Sequence, residues 1–251
     1  MTPLATDLAR CLDPVQLARG VGMVPDPWQA DVLRSDHPRI ALNAARQTGK
    51  SVTCATKAVH VAVYEPGALI LLLSPSQRQS AELFKKVLAV YKSLGRPVPS
   101  ESENALSLGL ENGSRVVSLP GTEGTIRAYS AVRLLLVDEA ARVPDETIAA
   151  VRPMLAVSGG QLIALSTPFG RRGWFFEMWT DGGPTWQRYE VKAEECPRIS
   201  PEFLEEERRA LGEWFFASEY LCQFGDPRSA AFNSAELEAC YSEDCEEWII
   251  P

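Results

Sequence analysis

Leu4, Leu8 and Leu12 recur every four residues, which predicts a short amphipathic helix ahead of Asp13-Pro14. Residues 20–27 (GVGMVPDP) read as a loop. Residues 39–44 (RIALNA) form a nearly unbroken apolar run and predict a buried strand, followed by a helix carrying Val52, Ala55, Val59 and Val63. A second apolar strand covers 68–74. The next helix, over 77–94, sets Phe84, Val87, Leu88 and Tyr91 on one face, the spacing of a helix lying on a sheet.

The middle of the chain changes period. Leu106, Leu108 and Leu110 alternate, Asn112-Gly113 is a strong hairpin signal, and 116–119 returns antiparallel. Residues 133–137 (RLLLV) and 161–165 (QLIAL) are further buried strands, with a helix over about 145–155 between them. Beyond Gly170 the pattern loosens. Residues 186–191 read as an edge strand, and two acidic helices follow near 201–210 and 213–223. Strand–helix alternation with almost continuously apolar strands predicts an α/β fold, its sheet mostly parallel and covered by helices on both faces.

A length of 251 residues supports one large domain, or one domain with a small appendage. The longest apolar run, 68–73, is far short of the ~20 residues that span a bilayer, so no membrane association is expected. The first twenty residues carry Asp7 and Asp13 without a basic leader, which argues against a secretory signal. Six scattered cysteines and two histidines lack zinc spacing and fit reduced thiols. The net charge of −8 conceals an asymmetry. Residues 190–251 hold 16 acidic and 5 basic side chains, leaving 20 basic and 17 acidic in residues 1–189. The acidity lies in the tail, so a polyanion surface on the main body stays open.

The chemistry concentrates at strand ends. Between the first strand and its helix stands Asn43-Ala-Ala-Arg-Gln-Thr-Gly-Lys-Ser51, whose Gly49, Lys50 and Ser51 close a phosphate-binding loop. Lys50 would reach the β- and γ-phosphates and the Ser51 hydroxyl would ligate magnesium. The pattern's first glycine is replaced by Ala44. The strand 133–137 ends in Asp138-Glu139, and two adjacent carboxylates at the end of a buried strand need a cation or a chemical role. In phosphate-loop ATPases the Asp serves the magnesium shell and the Glu polarises the attacking water. Ser166-Thr167-Pro168 ends another buried strand; it reads as a γ-phosphate sensor or as a plain strand-terminating turn. Gln29 precedes the first strand and offers an amide that can pair with an adenine edge.

With these strings in order, the chain resembles the ATPase domain of the large terminase subunit, the DNA-packaging motor of tailed bacteriophages. The resemblance covers about residues 28–224. It rests on Pro27-Trp28-Gln29, Ala45-Arg46-Gln47-Thr48-Gly49-Lys50-Ser51, Leu73-Ser74-Pro75-Ser76-Gln77, Thr125-Ile126-Arg127-Ala128-Tyr129-Ser130, Leu136-Val137-Asp138-Glu139-Ala140 and Ser166-Thr167-Pro168. The missing first glycine is usual in that family. The resemblance implies a RecA-like P-loop NTPase of the ASCE type, with a small C-terminal lid subdomain. It divides the chain into a core over 1–175, a lid over 176–228, and over 229–251 the start of a linker to an absent ribonuclease-H-like nuclease domain.

The resemblance also implies roles. Gln29 would read adenine, and Gln47, Thr48, Gly49, Lys50 and Ser51 would cradle phosphate, with ATP and Mg2+ as ligands. Arg46 would stand near the γ-phosphate, Asp138 would hold the metal and Glu139 would be the catalytic base. Ser166 and Thr167 would be the coupling segment. Arg127 looks like a finger inserted by a neighbouring subunit, with Arg133 as its rival and an ordinary salt bridge as the alternative. The implied partners are double-stranded DNA, the portal protein, the small terminase subunit and further copies in a ring, with a monomer allowed for the isolated domain. The implied place is the host cytoplasm and, transiently, the procapsid portal. For DNA contact, Arg78, Lys85 and Lys92 are spaced by seven on one helix, and Arg171 and Arg172 follow the coupling segment. A helicase-like remodelling ATPase and an ATP-switched scaffold are the competing functions.

Overall fold

The computed structural model describes residues 2–120 and 129–225. Three short helices open the chain: α1 (Pro3–Leu12), α2 (Pro14–Gly20) and α3 (Pro27–Arg34). Each starts with proline in its first turn, where the lost N–H is no penalty. Thr2 and Asp13 cap the first two through side-chain oxygens, and Asp26 with Gln29 forms a capping box on the third. Local chemistry therefore makes a helix where Pro27-Trp28-Gln29 carried no periodic signal, and the loop is confined to 21–26.

The core is an eight-stranded sheet. Its strands are β1 (Arg39–Ala44), β2 (Leu69–Ser74), β3 (Ser100–Glu103), β4 (Ser107–Leu110), β5 (Arg115–Pro120), β6 (Leu134–Asp138), β7 (Gln161–Ser166) and β8 (Gln187–Val191). Their spatial order is β3-β4-β5-β2-β6-β7-β1-β8. The six from β5 to β8 in that order are parallel neighbours, while β3, β4 and β5 pair antiparallel. The hairpin forms as the Asn112-Gly113 signal predicts, with Gly113 at φ 82°. Strands β2, β6 and β7 are buried along their whole length, which is why they read as unbroken apolar runs.

Alternate side chains feed two cores. Ile40, Leu42, Ile70, Leu72, Leu134, Leu136, Ile163 and Leu165 pack with α4 (Lys50–Tyr64) and α5 (Gln77–Ser93). Ala41, Leu71, Leu73, Leu135, Val137 and Leu162 point to the opposite face, where α6 (Asp145–Val151) and α7 (Gly173–Asp181) supply Ile148, Val151, Phe175 and Met178. A third small core lies under α8 (Pro201–Leu211) and α9 (Glu213–Tyr220), where Phe216, Tyr220 and Cys222 close over Ala45 and Ala193. The expected boundary at 175/176 falls inside α7, and β8 beyond it is a strand of the main sheet. All six parallel strands direct their C-terminal ends to one edge, where open α/β sheets bind ligands.

Candidate active site

At that edge β1 stops at Ala44 and the chain turns through 45–49 before α4 begins. Ala44 still pairs in the ladder with Val191, so a side chain is tolerated where the phosphate-loop pattern carries glycine. The turn itself is made by Gln47 at φ 62° and Gly49 at φ 93°. Only glycine fits the second position: its φ is left-handed, and a Cβ there would stand 2.7 Å from Gln29 Nε2. Thr48 Oγ1 donates to the Ala45 carbonyl at 2.9 Å, and Lys50 Nζ lies 3.5 Å from the same oxygen. No side chain caps α4, so its first N–H groups remain directed at the turn. Together they make an anion cradle with a buried lysine at its floor.

Two strands away, β6 delivers Asp138 to the same edge, 8% exposed. Burial pushes its carboxyl up to about 6, the neighbouring Glu139 charge adds to this, and the Lys50 ammonium opposes it. Its only hydrogen bond among the described residues comes from the Glu139 N–H at 3.0 Å. Glu139 turns the chain in the left-handed region (φ 51°, ψ 43°), a conformation that costs a non-glycine residue on the order of 1–2 kcal/mol. Ser74 Oγ and Asn43 Oδ1, at the C-terminal ends of β2 and β1, are buried without a partner among the described residues. The Asp138 carboxylate and the Ser51 hydroxyl lie at the same sheet edge, and hard oxygen donors of this kind suit a magnesium ion.

An ion-pair chain crosses the mouth of the site. Arg46 Nε donates to Glu219 Oε2 at 2.8 Å, and the Arg46 N–H donates to the Glu219 carbonyl at 3.0 Å. Arg142, on the 3-10 turn Ala140–Arg142, donates to Glu139 Oε2 at 2.7 Å and approaches Glu219 Oε1 at 3.4 Å. Sequence reasoning missed Arg142 and Glu219. Their signals were an Arg three residues after Glu139 and a Glu among the aromatic residues of 214–220.

The remaining candidates are placed as follows. Ser166 and Thr167 are fully buried at the end of β7, and Ser166 Oγ accepts from the Ala141 N–H at 3.2 Å. Gln29 is buried and its amide is engaged at both ends: Oε1 accepts from the Asp26 N–H at 2.9 Å and Nε2 donates to the Thr48 carbonyl at 3.3 Å. Arg198, also missed, holds Asp26 with two bonds and donates to the same Thr48 carbonyl at 3.1 Å. Arg78, Lys85 and Lys92 are exposed on α5, but Lys85 pairs with Glu82 and Lys92 with Glu103. Arg171 donates to the Phe224 carbonyl, and Arg172 lies 6.0 Å from the Phe169 ring. Arg127 lies outside the described residues. Its rival Arg133 immediately precedes β6, at the opposite end of the sheet, and pairs with Glu65 at 2.5 Å, away from the site.

That opposite end holds a cavity of about 520 Å³ lined by Arg34, Lys57, His60 and Arg133. Its cations are already committed. Lys57 Nζ donates to the carbonyls of Val32, Leu33 and Ser35, while burial lowers it to about 8, and Arg34 pairs with Asp13. The cavity therefore carries no anion site, and the chemistry stays with the open edge.

The family model described as the N-terminal part of the terminase large subunit, T4likevirus-type, matches residues 41–239. The large terminase subunit of Thermus phage G20c is 27% identical over 181 residues, covering 64% of this chain and 37% of that protein. The chain thus spans little more than a third of that relative's length. Among solved structures, the large terminase ATPase domain of Thermus phage P74-26 superposes with a TM-score of 0.73 at 21% identity, covering 82% of this chain and 96% of that one. The large terminase of another thermophilic bacteriophage, in complex with ATP-gamma-S, gives 0.65 at 15% identity, over 79% of this chain and 52% of that one. These likenesses establish the RecA-like fold expected from the resemblance.

Proposed function

The chain belongs to the terminase large-subunit family, and we propose that it hydrolyses ATP with Mg2+ to drive the packaging of double-stranded DNA into a phage capsid. The observation that carries this reading is the meeting of Lys50, at the uncapped start of α4, with Asp138 and Glu139, at the end of β6, on one sheet edge. The N–H groups of 47–51 and the Lys50 ammonium receive the phosphates and hold them against the helix terminus. Asp138 and Ser51 would hold a magnesium ion, which would supply positive charge to offset that of the phosphates. Glu139 orients a water in line with the γ-phosphate and accepts its proton. Gln29 keeps its second Nε2 hydrogen for an adenine edge while tethering the phosphate turn. Ser166 Oγ accepts from Ala141 in the turn that follows Glu139 and donates to the Thr167 carbonyl, so Ser166 and Thr167 pass the state of the site to the chain beyond Pro168.

In this reading the sheet with its N-terminal helices is the motor core and α8 with α9 is the lid. Double-stranded DNA, a portal, a small subunit and further copies of the chain in a ring are the partners, and no nuclease activity resides in these residues. Hydrolysis in the isolated chain is slow, because a ring neighbour completes the site. The test is phosphate release by the purified chain, with and without duplex DNA, beside Lys50→Ala and Glu139→Gln. Lys50→Ala should lose ATP binding. Glu139→Gln should bind ATP as tightly as the parent while turnover falls by about 10²-fold or more. Undiminished hydrolysis in Glu139→Gln removes the base assignment, and hydrolysis indifferent to duplex DNA removes the motor.

A further inference from the structure

Beside Glu139 meet Arg142, Phe169 and Glu219, three side chains with no part in the proposed reaction. Arg142 is held from three sides. One nitrogen donates to Glu139 at 2.7 Å, another approaches Glu219 at 3.4 Å, and its guanidinium carbon lies 4.5 Å from the centre of the Phe169 ring. A planar fork gripped in this way has little rotational freedom left. Glu219 is fixed in turn. Its side chain is 12% exposed, it accepts from Arg46 as well, and its own carbonyl accepts the Arg46 N–H. The neighbouring Ser218 donates to the Pro168 carbonyl at 2.8 Å, so α9 is bonded at adjacent residues to the phosphate turn and to the segment after β7.

The Glu139 carboxylate, by contrast, is partly solvated and has one described side-chain partner, Arg142. Its backbone is fixed by the left-handed turn, but its side-chain torsions are set by that single charge-assisted bond. A general base displaced by about 1 Å loses on the order of 10²-fold in rate, so whatever sets those torsions sets the rate. Resting on the reading of Glu139 as the base of an ATPase, we propose that Arg142 is a positioning residue that orients Glu139, and that Glu219 on α9 fixes Arg142. Two cations and two carboxylates, Arg46, Arg142, Glu139 and Glu219, balance across this cluster. The base thereby takes its orientation from a helix more than seventy residues further along the chain. A plain ion pair on a helical turn would leave catalysis untouched.

The test uses the full chain and single-turnover ATP hydrolysis, with ATP affinity measured separately by a fluorescent ATP analogue. Arg142→Gln should lower the hydrolysis rate about tenfold or more with ATP affinity within about twofold. Arg142→Lys, which keeps a cation but loses the fork, should recover part of the rate. Glu219→Gln should lower the rate less, and combined with Arg142→Gln it should add nothing, because both act through one orientation. An unchanged rate in Arg142→Gln, an additive double variant, or a rate loss that Lys does not relieve and that tracks a fall in Tm overturns the proposal and leaves the ATPase reading standing. Absence of hydrolysis by the parent chain above Lys50→Ala overturns the ATPase reading itself.

Discussion

The desolvation that lifts the Asp138 carboxyl to about 6 works against the folded, nucleotide-free protein at neutral pH. The unfolded carboxyl releases its proton near 3.8, the folded one only near 6, so between those values the folded state is the more protonated. Stability falls as pH rises through that window, and above it the whole cost is present. About two units correspond to roughly 2–3 kcal/mol. Asp138→Asn should therefore raise the urea-unfolding free energy at pH 8 by up to about that amount, and the gain should fade below about pH 4. A variant no more stable than the parent at pH 8 would show that Asp138 carries no such burden. Such costly carboxylates were legible in the sequence because a charge at the end of RLLLV has no structural excuse. Lys50, Ser51 and Glu139 were legible for the same local reason. Arg142, Glu219 and Arg198 were not, since their partners include residues 77 to 173 positions away and pairing at that range leaves no periodic trace.

Elements divide along the same line. Strands buried on both faces announce themselves as apolar runs, and β1, β2, β6 and β7 lie where the runs predict. The edge strand β3 (SESE) has no apolar face to bury and was invisible. Helix α7 was missed because its aromatic residues, Trp174, Phe175, Phe176 and Trp179, pack mutually and against Phe224 instead of keeping one clean stripe. The acidic helices α8 and α9 were found, but what they hold in place was not, because it depends on Phe216. That side chain is 2% exposed, stacks on Tyr220 and carries Arg208 over its ring. Phe216→Ala should cost about 3–5 kcal/mol in the cluster that covers Ala45. Because the Glu219 carbonyl holds the Arg46 N–H, loosening α9 should also weaken ATP binding. Equilibrium unfolding and ATP titration of this variant separate the two effects. Lost stability with unchanged ATP affinity would mean that the turn at 45–49 keeps its shape without α9.

At the scale of the molecule, every described group assigned to phosphate, metal and water lies on one exposed sheet edge, and the cations there are few. Lys50 is buried under the turn, while Arg46 and Arg142 are held by Glu219 and Glu139. Arg133 lies at the far end of the sheet and is paired with Glu65. A dissociative γ-phosphoryl transfer gains about 10³–10⁵ in rate from an added arginine, and the family resemblance offers Arg127 for that role. If Arg127 enters the site of a neighbouring copy, the Arg127 and Lys50 of one copy serve different active sites, at different interfaces. Arg127→Ala alone should then be nearly inactive, as should Lys50→Ala alone. Mixed in equal amounts under conditions where the copies assemble, they should regain hydrolysis, because some interfaces pair an intact phosphate loop with an intact arginine. The rescued rate should rise with total protein concentration, as an interface-dependent site requires. Mixed assemblies shown to form by cross-linking, yet no faster than either variant alone, would place Arg127 in its own subunit's structure and leave the finger to be sought elsewhere.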